Sequence, residues 1–219
     1  MSAHEALRTY TAKELEQIAA EQIRRLKERG DLSIPVDIEM IVEQFHGIEI
    51  DVHRGLKERH HVWGVVGRLL ESDKMLILVD DQLIDQDHLH KLYRMTVAEE
   101  LAHAILHGNA IRKVKTVDDF LEFQKHIDWD RHDRNAKRLA AALLMPAQHV
   151  LQDARGWYSK LVTLVGYGSP DVIKKHLSGK LAEDYEVSLS AMRYRLGEWP
   201  MKIYDRIDAA VRDRLDFLE

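Results

Sequence analysis

The sequence predicts an α+β fold that is mostly helical, with a small antiparallel sheet packed beside one central helix. Two β-rich runs, "HVWGVVGRLL" and "MLILVD", flank the polar residues "ESDK" and predict a hairpin. Before and after this region, apolar residues recur at helical spacing. An order of helices, a small sheet and further helices is typical of the α+β class.

The elements before the hairpin follow from local signals. Thr11 and Glu14 have the spacing of a capping box, which predicts the start of a helix that ends at Gly30. A shorter second helix is predicted between Pro35 and Gly47. The alternating run "IEIDV" that follows predicts a strand.

The hairpin and the central helix come next. Gly64 and Gly67, inside the first β-rich run, indicate a bulge or the close approach of another segment. From about residue 87 to residue 107 the pattern is helical again. The apolar stripe of this helix consists of Leu92, Met95, Ala98, Ala102, Ile105 and Leu106.

Helices predominate after the central one. "TVDDFLEFQKHI" predicts a short helix with Thr116 as its cap, and "RHDRNAKRLAAALLMP" predicts a longer one that Pro146 stops. We expect residues 1–155 to form the main domain. Residues 156–219 are expected to form a helical segment packed on that domain, not an independent domain.

Composition argues against several classes of protein. The hydrophobic share of 45% is enough for a globular core, and the formal net charge of -5 argues against a basic nucleic-acid coat protein. The chain has no cysteine, which excludes disulfides and thiolate zinc ligands. The sequence shows no apolar signal core and no apolar run long enough to span a membrane. We therefore expect a cytoplasmic protein.

The chemistry of the central helix is concentrated in residues 98–107, "AEELAHAILH". Glu99 and His103 lie one helical turn apart, in the positions that two zinc ligands occupy in a His-Glu-x-x-His motif. Glu100 occupies the position of the general base that activates a metal-bound water. His107 lies a further turn along. An exposed charged helix face is the alternative, but the apolar surroundings of these polar residues favour a site.

A glutamate at the first ligand position changes the expected metal chemistry. A carboxylate can replace a histidine on zinc at a similar bond length. Additional anionic ligands favour harder cations, and they weaken the metal as a Lewis acid because they reduce its effective charge. If a metal binds, we expect zinc, with manganese as the alternative.

Five segments, in the right order, resemble the ImmA/IrrE family of metallopeptidase-like proteins. They are "IPVDIEMIVEQFHGIEI", "GVVGRLLESDKMLILVDD", "RMTVAEELAHAILH", "RNAKRLAAALLMP" and "LAEDYEVSLSAMRYRL". The resemblance implies a minimal zinc-peptidase fold and a metal-dependent endopeptidase. It also implies a protein partner that is cut or regulated, such as a helix-turn-helix repressor, often in mobile elements or stress responses.

The match to the family's site is incomplete. Glu100 and His103 match the family's general base and second histidine, whereas Glu99 replaces the first histidine. Asn135 stands where the family usually has a glutamate as the third ligand. Lys137 stands where the family usually has an asparagine. Two of the three ligand positions therefore differ.

Two residues near Asn135 are candidates to compensate for the missing glutamate. His132 lies about one helical turn earlier, and Asp133 lies two residues earlier. If the chain is a metallopeptidase, one of them is expected to complete a metal site with Glu99 and His103, and Glu100 is the base.

Two other functions stay open. In the first, the peptidase fold is kept without a metal, Lys137 neutralises Glu99, and the cleft holds a repressor or a toxin–antitoxin partner. In the second, residues 181–197 form a helix-turn-helix that binds DNA through Arg193 and Arg195. Direct DNA binding is the least favoured of the three functions because acidic residues in the same segment oppose these arginines.

Overall fold

The computed structural model describes residues 8–69, 74–125, 128–166 and 170–213. It confirms an α+β fold that is mostly helical. The elements are α1 (Ala12–Arg29), α2 (Ile38–Met40, continued by a π-helical turn over Ile41–Phe45), β1 (Glu49–His53), α3 (Leu56–His60), β2 (Gly64–Gly67), β3 (Leu76–Asp80), α4 (Gln82–Asp85, followed by a 3-10 turn over Asp87–Leu89), α5 (His90–Ile111), α6 (Val117–Gln124), α7 (Trp129–Leu144), α8 (Ala147–Val165), α9 (Pro170–Asp184), α10 (Leu189–Gly197) and α11 (Ile203–Asp213).

The sheet has the strand order β1-β3-β2 and is mixed. The predicted hairpin is confirmed, because β2 pairs antiparallel with β3, although part of its turn lies outside the described residues. The prediction of an antiparallel sheet is wrong for β1, which pairs parallel with β3. An alternating apolar pattern fixes which face of a strand is buried, but it carries no information about strand direction.

The local signals at α1 act as predicted. The Thr11 hydroxyl accepts a hydrogen bond from the backbone amide of Glu14 over 3.2 Å, and the Glu14 carboxylate accepts one from the Thr11 amide over 2.8 Å. Gly30 ends the helix at φ +81°, in the left-handed region that favours glycine. Tyr10, just before the helix, donates from its hydroxyl to the Leu106 carbonyl and so ties this end of the chain to α5.

The central helix α5 packs directly against the sheet at Gly64. A Cβ atom on Gly64 would lie 2.6 Å from Cγ2 of Thr96 and 2.9 Å from Cγ of Glu100. A Cβ atom on Gly67 would lie 2.9 Å from the Val114 carbonyl oxygen. The close approach predicted from these two glycines is therefore confirmed, and it sets the distance between β2 and the motif on α5.

The described chain divides into two compact units. Of the described residues, one unit contains those from 8 to 32 and from 37 to 143, and the other contains those from 33 to 36 and from 144 to 213. In the second unit, the Tyr185 hydroxyl donates to Asp153 over 2.6 Å and thereby joins the end of α9 to α8. The expected domain boundary between residues 155 and 156 falls within α8 and stays a prediction.

Membrane crossing needs a helix that is both long and apolar. The longest helix, α5, has 22 residues but carries arginine, glutamate and histidine side chains along its length. Within the part of the chain that the structure describes, no helix meets both requirements.

Candidate functional site

Two helices of the first unit carry the candidate residues. The motif helix α5 supplies Glu99, Glu100, His103 and His107, and α7 supplies His132, Asp133, Asn135 and Lys137. Most of these side chains are buried among apolar neighbours, with Glu100 exposed by only 7% and His103 by 3%. Charged and polar groups at such depth need partners or a change of protonation state.

The Glu100 carboxyl group contacts the neighbouring strand. The backbone amide of Val66 in β2 donates a hydrogen bond to it, while its Oε2 atom is buried without a hydrogen-bond partner among the described residues. Burial raises the pKa of Glu100 well above its usual value, and the nearby charges of Glu99 and Asp133 raise it further. Burial therefore favours the protonated form of the residue at the general-base position.

The hydrogen bond between Val66 and Glu100 also occupies part of the outer edge of β2, the edge that does not pair with β3. Asp80 donates its amide to the Trp63 carbonyl over 3.0 Å, so residues 63, 65 and 67 direct their backbone groups toward β3. The amides of Val66 and Arg68 therefore point outward. Val66 is bonded to Glu100 as described, and Arg68 donates to the Val114 carbonyl over 2.9 Å. These two outward amides are already satisfied within the chain.

Glu99 is half-buried and lies between charges of both signs. Burial raises its pKa to about 7; the charge of Lys137 acts against this shift, and the charge of Asp133 acts with it. At neutral pH this carboxyl group is therefore close to its titration midpoint. It is a weaker metal donor than a fully ionised carboxylate would be.

His103 lies in an aromatic environment. Its ring stacks on the indole of Trp129 at a centroid distance of 5.0 Å and an interplanar angle of 9°, and Phe120 meets it edge-on at 6.4 Å. Burial lowers the pKa of His103 to about 3, with contributions from His107, Lys137 and His132. The imidazole is neutral at physiological pH, and its Nδ1 atom has no hydrogen-bond partner in the part of the chain that the structure describes.

His107 extends this environment toward α7. Its ring lies 5.7 Å from that of His103 and 4.9 Å from that of His132, measured between centroids. The backbone of α5 leaves helical geometry at His107, with φ -126° and ψ 23°. Burial, aided by His132, lowers the pKa of His107 to about 4. The neutral imidazoles of His103 and His107 therefore lie beside the His132 ring, between the two helices.

Lys137 brings a positive charge to this acidic region. Its ammonium group donates to the Asp133 carboxylate over 2.7 Å, one helical turn away on α7. Burial disfavours the charged form of Lys137, but the hydrogen bond and the charge of Asp133, together with the charge of Glu99, outweigh it and raise the pKa. The other Asp133 oxygen lies 3.9 Å from Nε2 of His103. Because His103 is neutral, this second contact is not an ion pair.

The predicted metal donors only partly converge. His103 and Asp133 face each other, whereas Glu99 reaches the pair only through longer-range charge interactions. Across the described residues, no group of three or more histidine, aspartate or glutamate side chains is arranged to hold a metal ion. Asp133 is also engaged by Lys137. In this arrangement the donors do not fit a metal, and the assignment of Glu99, His103, His132 and Asp133 as ligands stays a prediction.

Several features of the site escape sequence reasoning. Trp129 belongs to none of the motifs, yet it covers one face of His103. The satisfied outer edge of β2 depends on Val114, which no motif includes. The only available signal was the predicted close approach at Gly64 and Gly67, which brings α5 and the Val114 loop against that strand.

The predicted helix-turn-helix segment does form two helices, α9 and α10, with Ser188 as the cap of the second. Its two arginines differ in environment. Arg193 is exposed, whereas Arg195 is only 4% exposed and donates through Nε to the Met145 carbonyl over 3.1 Å. Arg195 therefore acts in packing within its own unit.

A mostly helical α+β fold with a Glu-x-x-His motif on a helix against a sheet edge defines a metallopeptidase-like protein. The sequence model of the peptidase M78 family, described as the IrrE N-terminal-like domain, matches residues 81–197. This match spans more than half of the chain, and the protein belongs to that family, the ImmA/IrrE family. No curated protein matches the chain.

Proposed function

We propose that this protein keeps the metallopeptidase fold as a binding module and acts on a protein partner without a catalytic metal. The observation that carries the proposal is the ion pair between Lys137 and Asp133. The ammonium group lies where it balances the charges of Asp133 and Glu99, which is the electrostatic task of a metal ion in a peptidase site. A cation bound there would have to displace it.

The closed edge of β2 supports the same proposal. An extended peptide that adds to a sheet edge needs free backbone amides and carbonyls along that edge. The outward amides of Val66 and Arg68 are occupied by Glu100 and Val114. These two amides are therefore not available to a peptide that would add as a strand beside β2.

The nature of the partner rests on the family. Members of the ImmA/IrrE family typically cut or regulate helix-turn-helix repressors, and we propose a repressor or a toxin–antitoxin protein in the cytoplasm as the partner of this chain. Direct DNA binding is not part of the proposal. The buried position of Arg195 supports a packing role for the segment 181–197.

A metal-dependent endopeptidase is the second candidate function. It is supported by Glu100 and His103, which keep the motif positions, and by the 3.9 Å separation between Nε2 of His103 and Asp133. This function requires Lys137 to release Asp133 and Glu99 to turn toward the same point. It predicts stoichiometric metal and peptide-bond hydrolysis.

Restoring the family's pattern tests the proposal. The triple variant Glu99→His, Asn135→Glu, Lys137→Asn places the family's usual residues at the three departing positions. We expect isothermal titration calorimetry to show a zinc site in the triple variant and none in the wild type. The variant Lys137→Arg is the matched control and keeps the cation. Wild-type binding of zinc that His103→Ala abolishes would overturn the proposal in favour of the peptidase.

A further inference from the structure

A surface pocket lies at the start of α5, in the first unit, and shares no residue with the site described above. Its volume is about 510 Å³. This volume lies within the range of ligand-binding pockets. The lining side chains are Glu39, Leu83, Ile84, Gln86, Asp87, His90 and Tyr93.

The charged groups of the pocket are acidic. Glu39 and Asp87 line it, and none of the lining residues is a lysine or an arginine. Glu39 accepts a hydrogen bond from the Tyr93 hydroxyl over 2.6 Å, and the Asp87 carboxylate has no hydrogen bond or ion pair with any residue that the structure describes. Two carboxylates thus face the pocket with much of their hydrogen-bonding capacity unused.

The rest of the lining is apolar and aromatic. Leu83 is buried, while Ile84 is 50% exposed and offers aliphatic surface to an occupant of the pocket. The buried ring of Tyr93 lies next to the His90 ring, with 6.4 Å between their centroids. An occupant that matches this lining has an aliphatic stem and a cationic end.

We propose that this pocket binds an arginine side chain of a partner protein. The three methylene groups of arginine would lie against Leu83 and Ile84, and its guanidinium group would donate to Glu39 and Asp87. A guanidinium fits better than an ammonium because it is planar, presents several donors and packs against aromatic rings. The inference goes beyond the proposed function and does not depend on the absence of a metal.

The pocket can be tested with a minimal ligand on the full chain. We would titrate N-acetyl-arginine methylamide while recording amide chemical shifts by NMR, with the citrulline analogue as the neutral isostere. We expect saturable shifts in residues 83–93 with a dissociation constant of about 1 mM, as suits a single side chain. The citrulline analogue should bind about tenfold more weakly or not at all, because it lacks the charge-assisted hydrogen bonds.

Matched variants test whether arginine binding depends on the two carboxylates that line the pocket. The double variant Glu39→Gln, Asp87→Asn should weaken arginine binding by about tenfold or more. The control, Glu43→Gln with Asp85→Asn, makes the same change of net charge on neighbouring residues outside the pocket and should leave binding unchanged. Shifts that do not saturate, equal binding of citrulline, or equal loss in both double variants would overturn the proposal. So would lysine methylamide binding as tightly as its arginine counterpart.

Discussion

Lys137 and Asp133 form an ion pair of 2.7 Å on α7, and Nε2 of His103 lies 3.9 Å from the other oxygen of the same carboxylate. The carboxylate is thus placed between an ammonium group and a neutral imidazole. The same ammonium group is the charge that lowers the pKa of Glu99. The positive charge of a site with three neighbouring acids is therefore supplied by a side chain of the chain itself.

Removing the positive charge of Lys137 should change the pKa of Glu99. In Lys137→Met, we expect the pKa of Glu99 to rise above its value of about 7, because the lysine is the interaction that lowers it. The loss of stability should be ~1 kcal/mol or less, because an ion pair with a partly exposed lysine is screened by solvent. Carbon-13 NMR of the glutamate carboxyl groups measures the pKa. Lys137→Arg is the control, and an unchanged pKa in Lys137→Met would show that the lysine does not balance Glu99.

Glu99 itself should make the folded state less stable as the pH rises. Its folded pKa of about 7 lies above the usual glutamate value of 4.5, so the folded state holds the proton to higher pH than the unfolded state. Its contribution is fully present below about pH 4.5 and is lost as the pH rises through about 7, by up to ~3 kcal/mol. Glu99→Gln should remove this loss in urea titrations across pH. Glu58→Gln, an exposed glutamate on α3, should not.

The close approach of β2 to α5 should tolerate no side chain at Gly64. In Gly64→Ala, the new Cβ atom would meet Thr96 at 2.6 Å and Glu100 at 2.9 Å. We expect a loss of about 1–3 kcal/mol in the free energy of unfolding, as is usual for overpacking. Gly156→Ala in α8 is the control, because no atom lies within 4 Å of its Cβ position, and it should gain up to ~1 kcal/mol from helix propensity. Equal effects of the two substitutions would contradict the packing at β2.

The buried histidines should make the protein sensitive to acid. The pKa of His107 is about 4 in the folded state against the usual histidine value of 6.5, so the unfolded state binds a proton first as the pH falls. The stabilising contribution is present above about pH 6.5 and is lost toward about pH 4, by up to ~3 kcal/mol. His107→Gln should flatten this acid limb in thermal melts between those pH values. His88→Gln, at an exposed position, should leave it unchanged.

The helices and the hairpin could be predicted because their signals are local. Thr11, Glu14 and Gly30 determine the ends of α1 through contacts within a few residues. The direction of β1 relative to β3 could not be predicted, because it depends on the path that the chain takes between the two strands. Strand pairing is determined by packing over the whole unit, and the residues of β1 alone do not indicate it.

The candidate site could likewise be predicted from the sequence only in part. The spacing of Glu99, Glu100 and His103 on one helix follows from the sequence. Their nearness to α7 is implied only by the family resemblance. The stacking of Trp129 on His103 and the pairing of Lys137 with Asp133 depend on how α7 is rotated against α5. The rotation decides whether Asp133 faces a cation of the chain or an open metal position.

The metal content of the wild-type chain is the measurement that bears most directly on the proposed function. The protein would be purified without a histidine tag, incubated with excess zinc or manganese at neutral pH, desalted and analysed by mass spectrometry for metals. We expect no stoichiometric metal, and no difference between the wild type and His103→Ala. About one zinc or manganese ion per chain that His103→Ala and Glu99→Ala both abolish would contradict the metal-free binding module and establish Glu99 as a ligand.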